Sequence, residues 1–130
     1  MRQALKVGVV LAAATMTLAG QDWYHDRDAR FRGEGWRAHV FTEVRSDLEH
    51  VRSSRAADRE KTRLQKTEQE LTKMQADLDH GRWDNGILND AIDSISKSAN
   101  DDKLNPRDRD ELADDVNRLK EFQNQHNQRH

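Results

Sequence analysis

The chain has 130 residues, 35% of them charged, with a formal net charge of −2 and no cysteine. That length holds one domain; the near balance of acid and base argues against nucleic acid as a partner. The missing thiol removes disulfides, Cys-ligated metals, thiol catalysis and a bacterial lipid anchor.

Residues 1–20, MRQALKVGVVLAAATMTLAG, read as a secretory signal peptide. Arg2 and Lys6 form the positive n-region, and Val7 to Ala19 is an apolar stretch of h-region length. Thr17-Leu18-Ala19 offers small residues for cleavage, with Gly20 an alternative end. A membrane span needs about twenty apolar residues, and Gln21-Asp22 ends the run before that. The expectation is export to a periplasm or the medium, with no stable membrane anchor after cleavage. Without this leader the hydrophobic share falls from 34% to about 28%, with Leu, Ile, Val and Phe together about 16%, a level at which disorder competes with folding. Balanced charge nevertheless suits a solvated helical surface better than a self-repelling coil.

Residues 21–35, QDWYHDRDARFRGEG, alternate charges and end in two glycines. Trp23, Tyr24 and Phe31 follow no helical or strand period, which predicts a flexible segment ahead of the domain. From Arg37 to Arg52, Val40, Phe41, Val44, Leu48 and Val51 fall on one helical stripe. Ser53-Ser54 can interrupt that helix and cap the next. A second helix is predicted from about Ala56 to His80, with Ala57, Leu64, Leu71 and Leu78 recurring every seven residues and Met74 beside them. Glu60 and Thr67 occupy what would be the second seam, so the stripe is too narrow for a free coiled coil. Gly81 fits the position after its C-terminus.

Asp84 can cap a third helix whose apolar face is Ile87, Leu88, Ala91, Ile92, Ile95 and Ala99. Asn100-Asp101-Asp102 breaks it. Asn105-Pro106 then opens a fourth: Asn is a favoured cap, Pro a favoured first residue, and Asp108, Asp110 and Glu111 complement the helix dipole. Leu112, Val116, Leu119 and Phe122 continue its buried face, Asp114 and Arg118 form an i,i+4 pair, and residues 125–130 should fray. Trp36 and Trp83 sit at helix boundaries as lids on the core. No stretch alternates with period two. The chain reads as all-α, about four amphipathic helices in an antiparallel bundle over residues 36–124, with a core thin enough to leave a homodimer open.

Candidate chemistry is sparse. Placing Leu104 at the apolar eighth position of a calcium loop puts Lys97 first and Ala99 third, which leaves Asp101 and Asp108 as the only ligands; Asn100 to Asp110 reads instead as a capped turn. His126 and His130 have the spacing of a helical metal pair, but Asn127 stands where a zinc-protease helix carries Glu. No serine sits on a strained glycine-flanked elbow, and no glycine-rich phosphate loop is present. Catalytic, cofactor and metal residues are therefore assigned to none, and the chain is read as no enzyme. The basic run Arg52, Arg55, Arg59, Lys61, Arg63 and Lys66 is read as a solvated face that complements the acidic stretch Asp108 to Asp115 across the bundle.

Leu71-Thr72-Lys73-Met74-Gln75 resembles the LTxxQ pattern of periplasmic envelope-stress proteins, a class of exported helical regulators and ATP-independent chaperones. The Thr of that family usually caps a helix start, whereas Glu68-Gln69-Glu70 places Thr72 in mid-helix. HVFTEVRSDLEHV, KTEQELTKMQADLDHGRWD and NPRDRDELADDVNRLKEF resemble small exported proteins of acidobacterial type, which supports the domain limits and implies no mechanism. The functional expectation is an exported, non-enzymatic helical protein that acts through its surface on a protein partner, in the envelope or its stress response. The alternatives are a chaperone-like protein and a weak metal buffer using His126, His130 and the acidic loop.

Overall fold

A computed structural model of the chain describes residues 23–129. The proposed signal peptide, residues 1–20, and His130 lie outside the described residues. The fold is all-α, and no strand occurs among the described residues. The chain divides into two compact units, Met1–Trp36 and Arg37–His130.

In the first unit residues 23–30 are helical, and we name this helix α1. The segment expected to be flexible, residues 21–35, holds this helix in its described part, followed by a turn. The helix is held by contacts that a search for apolar stripes misses. The Arg27 guanidinium lies 4.1 Å over the Phe31 ring, one turn on, a cation–π contact. Trp23 and Tyr24 meet edge to face at 5.3 Å. The Phe31 amide closes the helix by donating to the carbonyls of Arg27 and Asp28. Gly33, at φ 68°, then turns the chain through a conformation that side chains with a Cβ resist. Phe31 and Trp36 lie 6.1 Å apart with tilted rings, and both are buried.

A 3-10 turn, Gly35–His39, leads into α2, Val40–Arg52. The second unit continues with a 3-10 turn at Arg55–Ala57, then α3 (Lys61–Asp79), α4 (Asn85–Ala99) and α5 (Pro106–Arg129). With α1, the described residues hold five α-helices rather than the four expected. α2 packs on α3, α3 on α4, α4 on α5, and α5 closes the ring against α2. Cross-contacts fix the directions. His50 near the end of α2 faces Asp108 near the start of α5, while Phe41 near the start of α2 meets Phe122 towards the end of α5. Arg52 reaches Glu68 while Arg45 reaches Thr72. Glu60 meets Ser98, and Gln123 meets Asn85 and Asn89 while Arg109 reaches Ala99. Successive helices are therefore antiparallel, as short connections require.

The helix ends follow local chemistry. The Asp84 carboxylate accepts from the Ile87 amide at 3.0 Å, and Asn105 Oδ1 accepts from the Arg107 amide at 2.8 Å ahead of Pro106. Gly81, at φ 72°, ends α3: its amide donates to the Leu78 carbonyl and that of Arg82 to the Asp77 carbonyl. That pair of bonds is the Schellman arrangement. α3 starts later than its pattern suggested, at Lys61, because the chain first makes the 3-10 turn that buries Ala57.

The core comprises Phe41, Val44, Leu48, Leu64, Leu71, Met74, Leu88, Ile95, Leu112 and Leu119, each at most 1% exposed, with their neighbours. The second seam of α3 is present but polar. Thr67 is buried with its hydroxyl donating to the Arg63 carbonyl. Glu60 is buried and accepts from Ser98 Oγ at 2.8 Å and from Arg63 Nη1 at 2.5 Å. Of the tail expected to fray, residues 125–130, the described part continues α5. α5 runs to Arg129 because the His126 ring stacks on Trp83, centroids 3.6 Å apart and planes 12° off parallel.

Candidate functional site

A concavity in the second unit runs between α2 and α3. It consists of two adjoining hollows, of about 260 and 390 Å3, that share Arg45 and Thr72. The heptad stripe positions Leu71 on the floor beside Phe41 from α2, and both are almost completely buried. Thr72 and Gln75 follow on the outer side of the same helix and line the first hollow with Thr42, Ala76 and Asp79. Three residues of the LTxxQ-like segment therefore face one groove.

Its polar groups are tied together. Arg45 Nη1 donates to Thr72 Oγ1 at 2.8 Å, and that hydroxyl donates to the Glu68 carbonyl at 2.9 Å. The Thr72 hydroxyl thus serves an interior helical turn and caps no helix start. Gln75 Nε2 donates to Asp79 Oδ1 at 2.9 Å. Glu68, at the edge of the larger hollow, is paired with Arg52 at 2.7 Å. Among the described residues neither Arg45 nor Asp79 has a partner of opposite charge. Sequence reasoning singled out Leu71, Thr72 and Gln75 and placed Phe41 on the apolar stripe of the first helix, but it did not find Arg45 or Asp79, because the α2–α3 register that joins them is not periodic information.

A second concavity of about 180 Å3 lies at the α5 end, lined by Leu78, Phe122, Gln125, His126 and Arg129. Here Phe122 bridges Phe41 and Trp83, at 5.4 and 6.0 Å between centroids. Trp83 is half-buried and covers this end, while Trp36 is buried in the first unit. His126, one member of the expected histidine pair, is thus engaged as a stacking group. In the acidic loop, Asp101 Oδ1 accepts from the Lys103 amide, and Asn105 caps α5. Among the described residues no group of three His, Cys, Asp or Glu side chains could hold a metal ion. None of their helices is long and apolar enough to cross a membrane.

The charged residues are arranged differently from the expected pattern. The basic run does not face the acidic stretch of α5. Arg52 pairs with Glu68, Lys61 with Asp58 and Arg63 with Glu60, all within the α2–α3 region. These partners are near in sequence or across the adjacent seam, so they win on distance. On α5, Asp108, Glu111 and Asp115 are buried, as is Asp47 on α2. The i,i+3 and i,i+7 spacing of Asp108, Glu111 and Asp115 beside the Leu112–Val116–Leu119 stripe is the sequence signal of their burial. His50 Nε2 lies 3.7 Å from Asp108 Oδ1. Burial lowers the His50 pKa below its ordinary value, opposed by the Asp108 and Asp47 charges. Burial raises the Glu70 pKa, with Lys66 opposing and Asp90 reinforcing. The Lys73 hydrogen bond, assisted by Arg82, lowers that of Asp77.

Nucleophile geometry is also informative. Ser98 is fully buried and donates to Glu60, and Ser53 Oγ donates to the His50 carbonyl rather than its ring. The chain matches no protein-family model, and no curated protein or solved structure matches it significantly.

Proposed function

We propose that this is an exported, non-enzymatic helical protein that engages a polypeptide partner through the groove between α2 and α3, in the envelope or its stress response. The observation that carries this reading is the pair of adjoining hollows joined at Arg45 and Thr72. From Gln65 to Asp79 the groove follows α3 for about 21 Å at 1.5 Å per residue, enough for about six extended residues of a partner. Its rim of Thr, Gln and charged side chains suits a main chain, whose amides and carbonyls need partners when they dock. Export rests on the leader-like pattern of residues 1–20.

The interaction reading is preferred over the chaperone-like one on physical grounds. Holding unfolded clients calls for exposed apolar surface, whereas Phe41 and Leu71 are already buried beneath a polar rim. A photoreactive residue at Gln69, in the groove, and another at Asp93, on the exposed face of α4, test the assignment. Crosslinks to envelope protein from position 69 and not from 93 are expected; equal labelling or none overturns it. Suppression of aggregation of a denatured client at stoichiometric ratio would restore the chaperone reading.

A further inference from the structure

The smaller hollow carries a charge at each end. Arg45 stands at one end, with one guanidinium N–H given to Thr72. Asp79 stands at the other and accepts only from Gln75. Neither is neutralised by another described residue, although long charged side chains on a helical surface readily find partners. They do not pair with each other because Arg45 sits level with Thr72, and Asp79 lies seven residues further along α3. At 1.5 Å per residue that is about 10 Å. Between them lie the exposed Ala76 and the polar groups of Thr42 and Gln75, with Phe41 and Leu71 buried beneath.

A ligand complementary to this arrangement has a carboxylate and an ammonium group about 10 Å apart, at about 3.4 Å per residue the span of three extended residues. The size agrees: the hollow, about 260 Å3, falls below the roughly 300–1,000 Å3 typical of drug-sized ligands. Beyond Arg45, the larger hollow is lined by Glu49 and by Glu68, the latter paired with Arg52, so Glu49 disfavours a carboxylate placed any further along. The charges therefore set both polarity and length.

We propose that the hollow between α2 and α3 binds short peptides of about three residues by their free termini, the C-terminal carboxylate on Arg45 and the N-terminal ammonium on Asp79. The peptide amides would meet Thr42 and Gln75, and a small apolar side chain would rest on the exposed Ala76. This deepens the polypeptide-binding reading and rests on it. Both charged pairs would remain open to solvent, where each contributes modestly, so the complex is weak and salt-sensitive.

The test uses the full chain, titrated with tri-alanine and followed by amide NMR shifts. Parallel titrations use N-acetyl tri-alanine, tri-alanine amide and penta-alanine. Tri-alanine is expected to move the amides of Thr42, Thr72 and Gln75, and capping either terminus to weaken binding about fivefold, the size of an exposed ion pair at the strong end of its range. Arg45→Gln should remove the penalty for the C-terminal amide alone, and Asp79→Asn that for N-acetylation alone. Arg45 is only partly buried and Asp79 is exposed, so unchanged helicity and Tm will verify folding of both variants. Equal binding of capped, longer and free peptides would overturn terminus recognition while leaving a polypeptide-binding groove. Absence of any binding, with labelling from position 69 also absent, would remove both readings.

Discussion

Ser98 and Glu60 tie the end of α4 to the start of α3, and their coupling can be measured. Ser98 is fully buried, and its hydroxyl donates to Glu60 Oε1 at 2.8 Å. Replacing Ser98 with Ala removes this donor with little change of shape. A hydrogen bond to a charged group is worth about 1.5–3 kcal/mol. The lower end applies, because Arg63 still donates to the same oxygen and is itself 40% exposed. Ala is the better helix former by about 0.5 kcal/mol. The net loss expected for Ser98→Ala is therefore about 1 kcal/mol, or a Tm drop of about 4–8 °C for a domain of this size. On a Glu60→Gln background the bond is neutral to neutral, and removing the hydroxyl should cost about half as much. The assay is urea unfolding followed by far-ultraviolet circular dichroism, for the four proteins of the double-mutant cycle. Additive losses, or a Ser98→Ala protein as stable as the parent, would refute the claim that this buried bond joins the two helices.

Glu70→Gln should raise Tm at pH 7 and lose that advantage in acid. A raised folded pKa means that the folded state binds the proton more tightly, so stability falls as pH rises from the ordinary carboxylate range through the folded value; a variant gain that persists under acid conditions would contradict this. Asp77 has the opposite sign. Its folded pKa is lowered, first by Lys73, so its contribution is complete above the unfolded value and is lost as pH falls through the folded one. Lys73→Ala should flatten that acid limb of a Tm-against-pH curve, and an unchanged limb would remove Lys73 as the cause. His126→Ala should cost about 1 kcal/mol for the lost stack and raise hydrogen exchange over residues 124–129, whereas unaltered exchange would mean that the stack does not order the end of α5. Zinc, copper or calcium in excess should leave Tm unchanged, since a ligand that binds only the folded state must raise it; an increase would revive metal buffering.

Features written in short-range chemistry are legible in the sequence. Asp84, Asn105-Pro106 and Gly81 marked helix ends because capping involves residues two to five apart. The apolar stripe of α4 was read because its burial repeats with the helix. α1 was missed because an Arg27–Phe31 contact and a Trp23–Tyr24 edge contact leave no apolar period. The burial of Asp47, Asp108, Glu111 and Asp115 was not legible in composition, which assigns carboxylates to water unless tertiary structure encloses them. The groove was half visible. α3 declared Leu71, Thr72 and Gln75 through its repeat and local pattern, but Arg45 joins them only through the register of α2 against α3.

Three of the four seams in the helical ring join helices that follow one another in the chain, so each can close as a local hairpin. The seam between α2 and α5 differs: its halves are separated in the chain by α3 and α4. It requires the longest loop closure and gains the least from chain proximity. No connecting turn has to deform when it parts. The α2–α5 seam is therefore where the ring would open first under mild denaturant, with the other three hairpins intact. Hydrogen exchange along facing sides of α2 and α5 would record that opening as a sub-global event.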